Sequence, residues 1–405
     1  MTSSGRSVTR FSGHQKVLLA VAVTAIVIGL LIIFGVLLRG WIQGLHVWTT
    51  APADFEVSAQ FGTIIGGIAG TFFALAGTLL IVLTFREQSH ESKNRAFEAT
   101  FFEMIRLHRS NVDEWAYSRH KKKNGGPHYT RRQVAMAIFR EFEECHREVL
   151  RFTKVNNPDS EITSHYSALL QRLIDSRKNI SELELASVDI AYSIVYYGLG
   201  IEGQTIIKAR FHARFSDNFL HRLIFFLQLK PKQKYEKRWR QWVELASQQN
   251  SRLLGTVDNA YRRRSDNDYL DSRNDIIGSG SRTKPFEKYY GGHQSRLGHY
   301  FRHLFQSFRY LESQEQLSNQ EKYTYGKLLR GQLSTYEQAI LFINSITTLG
   351  MRWELLSEIG PESEGRSALI TTYQLVKNVP KLQIPTLNMA LYYPDIKFEF
   401  DEYST

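Results

Sequence analysis

The sequence predicts a mostly α protein with two N-terminal transmembrane helices. The second continues into an all-helical cytoplasmic domain, which ends in a small extended C-terminal segment. Three observations carry that expectation. Two long runs hold no charge, Val17 to Leu38 and Phe61 to Phe85. Beyond Arg86 the apolar residues recur at helical spacing. The 405 residues contain only nine prolines, too little punctuation for many short strands. The expected boundaries are a two-helix membrane anchor over 1–85 (spans 17–38 and 61–85), a helical domain over 86–380, and a tail over 381–405.

Each uncharged run exceeds the roughly 20 residues that a helix needs to cross the hydrocarbon layer. The first is too long for the apolar part of a signal peptide, and Leu37-Leu38-Arg39-Gly40-Trp41 offers no small-residue cleavage site. Positive charge sets the orientation. Arg6, Arg10 and Lys16 precede the first run, and Arg86, Lys93, Arg95, Arg106 and Arg109 follow the second. The loop between them carries Arg39 against Asp54 and Glu56, together with the interfacial residues Trp41 and Trp48. Both termini are therefore expected on the cytoplasmic side. Neither run holds an ionisable residue, which argues against a transporter or a proton path.

The soluble part follows element by element. Phe97, Phe101, Ile105, His108, Val112 and Trp115 lie on one helical face, so the second membrane helix should run on into the domain. The Lys121–Pro127 stretch should break it. Thr130 with Gln133, and Ser181 with Glu184, have capping-box spacing and should open helices, the second ending at Gly198-Leu199-Gly200. Further helices are expected over 217–229, 234–254, 295–314 and 319–349, with an exposed loop over 265–284. In the tail, Ile396, Phe398 and Phe400 alternate with Lys397 and Glu399, an extended-chain pattern. The composition, 42% hydrophobic and 22% charged, is globular rather than disordered. Cys145 is the sole cysteine, so neither an intramolecular disulfide nor a Cys-based zinc site is possible. No cofactor and no metal are expected.

Three constellations could carry function. In the second membrane run, Gly62, Gly66, Gly70 and Ala74 repeat every fourth residue with Gly77 nearby, a spacing that lets helix backbones approach closely in lipid. The approaching helix could be the chain's own first span or another subunit. The second constellation is a basic block: Lys230, Lys232, Lys234, Lys237, Arg238, Trp239 and Arg240, interleaved with Tyr235. Such a block can stack on and neutralise nucleic acid, lie on anionic lipid, or be a solvated helix face. The third is a polar stripe. Arg296, His299 and His303 share a helical face beside His293 and Arg302. Downstream, Arg330, Ser334, Glu337 and Asn344 fall on one stripe of a single expected helix. That stripe suits a buried structural network or a ligand or partner site. Four Arg/His pairs also match the loose signature of helical HEPN-type RNases: Arg39/His46, Arg140/His146, Arg214/His221 and Arg296/His303. About three are expected by chance, so the matches alone decide nothing, and only Arg296 and His303 stand as candidate catalytic residues because of their neighbours on the polar stripe.

The segments Gly298-His299-Tyr300-Phe301-Arg302 and Tyr325-Gly326-Lys327-Leu328-Leu329-Arg330-Gly331-Gln332-Leu333-Ser334, with Glu337 and Asn344, resemble the AbiC-like phage abortive-infection family. Phe97-Glu98-Ala99-Thr100-Phe101-Phe102-Glu103-Met104 is similar to an element that follows the two membrane helices of that family. The resemblance covers roughly residues 60–115 and 290–350. It implies antiviral defence at a bacterial inner membrane, by killing or arresting the infected cell, and it brings no established catalytic residues. The implied partners are the bilayer, further copies of the chain, and a protein or nucleic acid of the same defence system. In a retron that partner would be a reverse transcriptase with its DNA–RNA product.

Overall fold

A computed structural model of the chain describes residues 13–42, 55–118, 128–153, 162–174, 180–263, 288–355, 368–379 and 387–399. The Lys121–Pro127 break, the 265–284 loop, Trp48 and Phe400 lie outside them. The chain forms two compact units, residues 1–99 and 100–405.

Helix α1 (Gly13–Ile42), in the first unit, and the helical run Gly62–Asp113, which begins there and ends in the second, are each long and apolar enough to cross a membrane. The second run is composite. Helix α2 (Phe55–Ile64) passes through a π-helical turn (Ile65–Ala69) into α3 (Gly70–Asp113). The two long helices expose large apolar side chains, among them Leu31 (62%), Ile42 (72%) and Phe85 (66%). Such surface is stable in lipid and unfavourable in water. The hydroxyls of Thr24, Thr63, Thr71, Thr78 and Thr84 each donate to the carbonyl four residues back. Each polar group is thereby satisfied within its own helix, as a hydrocarbon environment demands. Where α1 meets α3, a methyl group added to Gly29 would come within 3.1 Å of the Phe73 ring. Ala22, Ala25, Ala69 and Ala76 are buried along with Gly29.

The second unit is helical around α4 (Arg132–Thr153) and α6 (Glu182–Tyr197), which pack along each other. Every residue of α6 from Leu185 to Val195 is buried, the pattern of a central helix. Around them lie α5 (Ser164–Ile174), α7 (Ile201–Phe211), α8 (Asp217–Gln228), α9 (Glu236–Ser247) and α10 (Asn250–Arg263). The chain then continues through α11 (Gln294–Glu312), α12 (Asn319–Arg330), α13 (Thr335–Ser345) and the short α14 (Leu369–Thr372) and α15 (Met389–Tyr392). Strands β1 (Ala116–Ser118) and β2 (His128–Thr130) form a small antiparallel ladder before α4.

The stripe read from the sequence is buried throughout: Phe97, Phe101, Ile105, His108, Val112 and Trp115. Ser181 caps α6 by accepting the Glu184 N–H, and α6 ends at Gly198. Gly198 has φ +79° and Gly292 has φ +87°, and a Cβ on either would collide with the other's strand at under 3 Å. The two Gly-rich stretches therefore meet backbone to backbone, stitched by Leu199 N–H to Tyr290 O (2.9 Å) and His293 N–H to Tyr196 O (2.8 Å). In the tail, Ile396 and Phe398 are buried while Lys397 and Glu399 are exposed.

Three expectations about elements need correction. Thr130 does not cap α4, because it pairs with Ala116 in the ladder, and Arg131 (φ 53°) turns the chain before α4 begins at Arg132. The helix expected over 234–254 is two, α9 and α10, with a break around Gln248. The helix expected over 319–349 is also two. Ser318 with Glu321, and Ser334 with Glu337, each form a complete capping box, so a new helix starts at Thr335.

Candidate functional site

With 319–349 broken into two helices, the downstream residues expected on one stripe serve separate structural ends. Arg330 is buried and donates to Tyr373 O (2.9 Å) and Gln374 O (3.3 Å). Ser334 donates its N–H to Glu337 Oε2 at 2.8 Å and caps α13. Asn344 donates to the Tyr192 hydroxyl at 3.2 Å.

On α11 the upstream residues also diverge. His293 is buried with Nε2 3.3 Å from Glu141 Oε2, the oxygen that accepts the Tyr117 hydroxyl at 2.7 Å. The Arg296 guanidinium donates twice to Ala116 O (2.8 and 3.2 Å) and covers the Tyr117 ring. His293 and Arg296 thus clamp strand β1 to α11. His299 is exposed and lines a 420 Å³ cavity with Asn111, Glu114 and Arg296. Arg302 bonds to Gly298 O of its own helix. His303 Nε2 lies 2.9 Å from Met104 O, so this nitrogen carries the proton and donates. Arg296 and His303 are therefore each engaged by a different backbone carbonyl.

The basic block is divided too. Lys230 is 3% exposed, and its ammonium sits between Glu148 (2.6 Å) and Glu144 (3.3 Å), 4.0 Å from the centre of the Tyr289 ring. It is a core cation and is withdrawn from the patch. Trp239 stacks on Tyr289, while Lys232, Lys234 and Arg238 are half-buried. Lys237 and Arg240, on α9, are exposed.

The glycine ladder is open. Around Gly62, Gly66 and Gly77 an added methyl would meet nothing within 4 Å, and at Gly70 only Ile65 O at 3.9 Å. Ala74 is exposed beside them. The π turn adds a residue between Gly62 and Gly70, so the step of four does not form a straight row. The first span packs against the π turn Ile65–Ala69, where Ala69 is buried, and through Gly29 on Phe73, while the Cβ position of Gly66 in that turn stays open.

The arrangement with most chemical capacity lies where α3 ends. Residues His108, Arg109, Asp113, Arg131, Arg132 and Gln332 are among those lining a 520 Å³ cavity. An adjoining 690 Å³ cavity shares Arg109, Asp113 and Gln332 and adds Arg106, Phe102 and Leu328. Arg109 donates to Gln332 Oε1 from Nε (2.8 Å) and Nη2 (2.6 Å), and Arg132 donates to Gln332 O (3.1 Å). Arg131 pairs with Asp113 at 3.6 Å. Beneath them His108 is 1% exposed, tilted against Tyr300 and stacked on His303. Burial, followed by the charges of His303, Arg132 and Arg109, pushes its pKa down to about 4. Burial first, and then the Glu337 carboxylate, hold the Tyr300 hydroxyl protonated.

Sequence reasoning missed this cleft. Arg106 and Arg109 read as orientation charges, and nothing in the sequence singles out Arg131 and Arg132. Only folding brings them to Gln332, more than 190 positions along.

Residues 292–384 match the family model described as "Putative phage abortive infection protein". The match opens at Gly292 and takes in α11, α12, α13 and α14, and with them Gln332 and Glu337 of the cleft and the Tyr300 and His303 rings packed against His108. It reaches further toward the C-terminus than the stretch read from the sequence, and Phe97–Met104 lies outside it. Neither the curated proteins nor the solved structures contain a match to the chain.

Proposed function

We propose that this chain is a membrane-anchored effector of bacterial antiphage defence. When its helical domain is triggered or released by a partner, its membrane helices assemble with those of other copies and breach the inner membrane. The defence assignment is supported by the abortive-infection match over residues 292–384. The single observation that supports the mechanism is that the Cβ positions of three glycines of the second run are open. A Cβ on Gly62, Gly66 or Gly77 would meet nothing within 4 Å even though the chain's own first span packs on the π turn Ile65–Ala69 and on Phe73, so these glycines remain accessible to another helix. The charge asymmetry around the spans supports a cytoplasmic position for both termini. The partner class is a protein or nucleic acid of the same system, such as a reverse transcriptase with its DNA–RNA product.

Replacing Gly66 and Gly70 with Leu tests this. The segment stays apolar, so insertion should survive, but helix approach is blocked. Toxicity on triggering should fall with the protein still in the membrane fraction. Undiminished killing by the double variant would contradict the mechanism.

A further inference from the structure

We propose that the cleft between the end of α3, the first turn of α4 and the α12–α13 turn binds the phosphoryl group of a small ligand, a phosphate monoester of up to mononucleotide size. The guanidinium groups of Arg109 and Arg132 converge on Gln332 and are satisfied there by neutral oxygens, a side-chain amide and a backbone carbonyl. Both arginines are exposed, and among the described residues neither is in a salt bridge with a carboxylate. Two arginines turned toward one neutral residue form the fork that anionic oxygens accept best. Arg131 stands at the same rim, its left-handed backbone turning the chain so that Thr130 to Gln133 line the cavity. Here begins the 22-residue helix α4, whose Val134 N–H already donates to Arg131 O (3.0 Å) and whose dipole favours an anion at its first turn. Asp113 is paired with Arg131, and Glu337 is held by its cap through Oε2 while its buried Oε1 has no hydrogen-bond partner among the described residues, so three guanidinium groups outnumber two carboxylates.

The independent observation is His108. It lines this cavity, is 1% exposed, and has no hydrogen-bond partner for either ring nitrogen among the described residues. A buried imidazole with two idle nitrogens is a costly feature that a ligand would relieve. Because its pKa is pushed to about 4, the ring is neutral at physiological pH and offers one donor and one acceptor. The volume, 520 Å³, falls within the ~300–1,000 Å³ typical of small-molecule sites. A polymer lying across the surface would touch the arginines but not reach His108, which favours a small ligand. The site does not depend on how the membrane helices act.

The full chain in detergent micelles should be titrated calorimetrically with inorganic phosphate, with adenosine 5′-monophosphate, and with a single-stranded oligonucleotide. The variants are R109Q/R132Q and H108F, the latter keeping the ring stack on Tyr300 and His303. We expect saturable binding of phosphate and of the mononucleotide, weakened ~10-fold or more in R109Q/R132Q by loss of charge-assisted bonds. H108F should weaken the mononucleotide comparably, yet melt at or above the parent temperature without ligand, since two unsatisfied nitrogens are gone. The proposal is overturned if the folded parent binds neither phosphate nor mononucleotide, or if R109Q/R132Q binds them undiminished. It is equally overturned if H108F binds as the parent does or melts lower than the parent, since His108 would then be satisfied within the fold. Binding of the oligonucleotide alone would also overturn it.

Discussion

His146 is stacked 5.5 Å from Phe142 on α4, 1% exposed, with neither ring nitrogen hydrogen-bonded among the described residues. Burial lowers its pKa to about 4, as it does foremost for His108. An unfolded histidine titrates near ~6.5, above both folded values. Between those limits the unfolded chain binds more protons, so stability rises with pH and is lost as pH falls. The loss between about pH 7.5 and about pH 5 should be roughly 2 kcal/mol per histidine. Denaturation midpoints at the two pH values should show it, and His146→Phe should remove about half of the slope. An unchanged slope in that variant would place the pH dependence elsewhere. Other residue-scale facts were not legible in the sequence. Lys230 sits in the densest run of positive charge, so it reads as surface. Its partners Glu144 and Glu148 come from α4, 82 and more positions upstream, and only the fold brings them together.

At the scale of elements, apolar periodicity was the reliable guide. The Phe97-to-Trp115 stripe and the Ser181-to-Gly198 helix follow from side-chain period and capping chemistry that act within a few residues. The cap at Ser181 was legible, whereas the box at Ser334 was hidden in a continuous apolar pattern. Thr130 with Gln133 has the spacing, but pairing with Ala116 draws Thr130 into β2. Ser334 with Glu337 has the same spacing inside a continuous apolar pattern, where it read as part of a longer helix, yet it starts α13. Ser334→Ala should therefore cost about 1 kcal/mol. Thr130→Ala should cost less than about half of that, because it removes no cap. Chemical denaturation of the two variants checks the contrast. Equal losses would mean that Thr130 supports α4 after all.

For the whole molecule, the two apolar helices and the helical domain after them were readable from charge and length alone. The abortive-infection resemblance was readable from the segments around Gly298 and Tyr325, which fall within the family match over 292–384. The cleft at Arg109, Arg132 and Gln332 was not, because its residues lie on three separate elements. Two mechanisms follow from the alternative site residues. In one, the membrane helices kill. In the other, a tethered RNase acts through Arg296 and His303, the two groups that the fold engages with Ala116 O and Met104 O. The deciding measurement records membrane potential and RNA integrity in the same cells through the first minutes after triggering. The proposed function predicts early depolarisation with RNA intact, abolished by G66L/G70L and retained by R296A/H303A. Early RNA cleavage with membrane potential intact would contradict it.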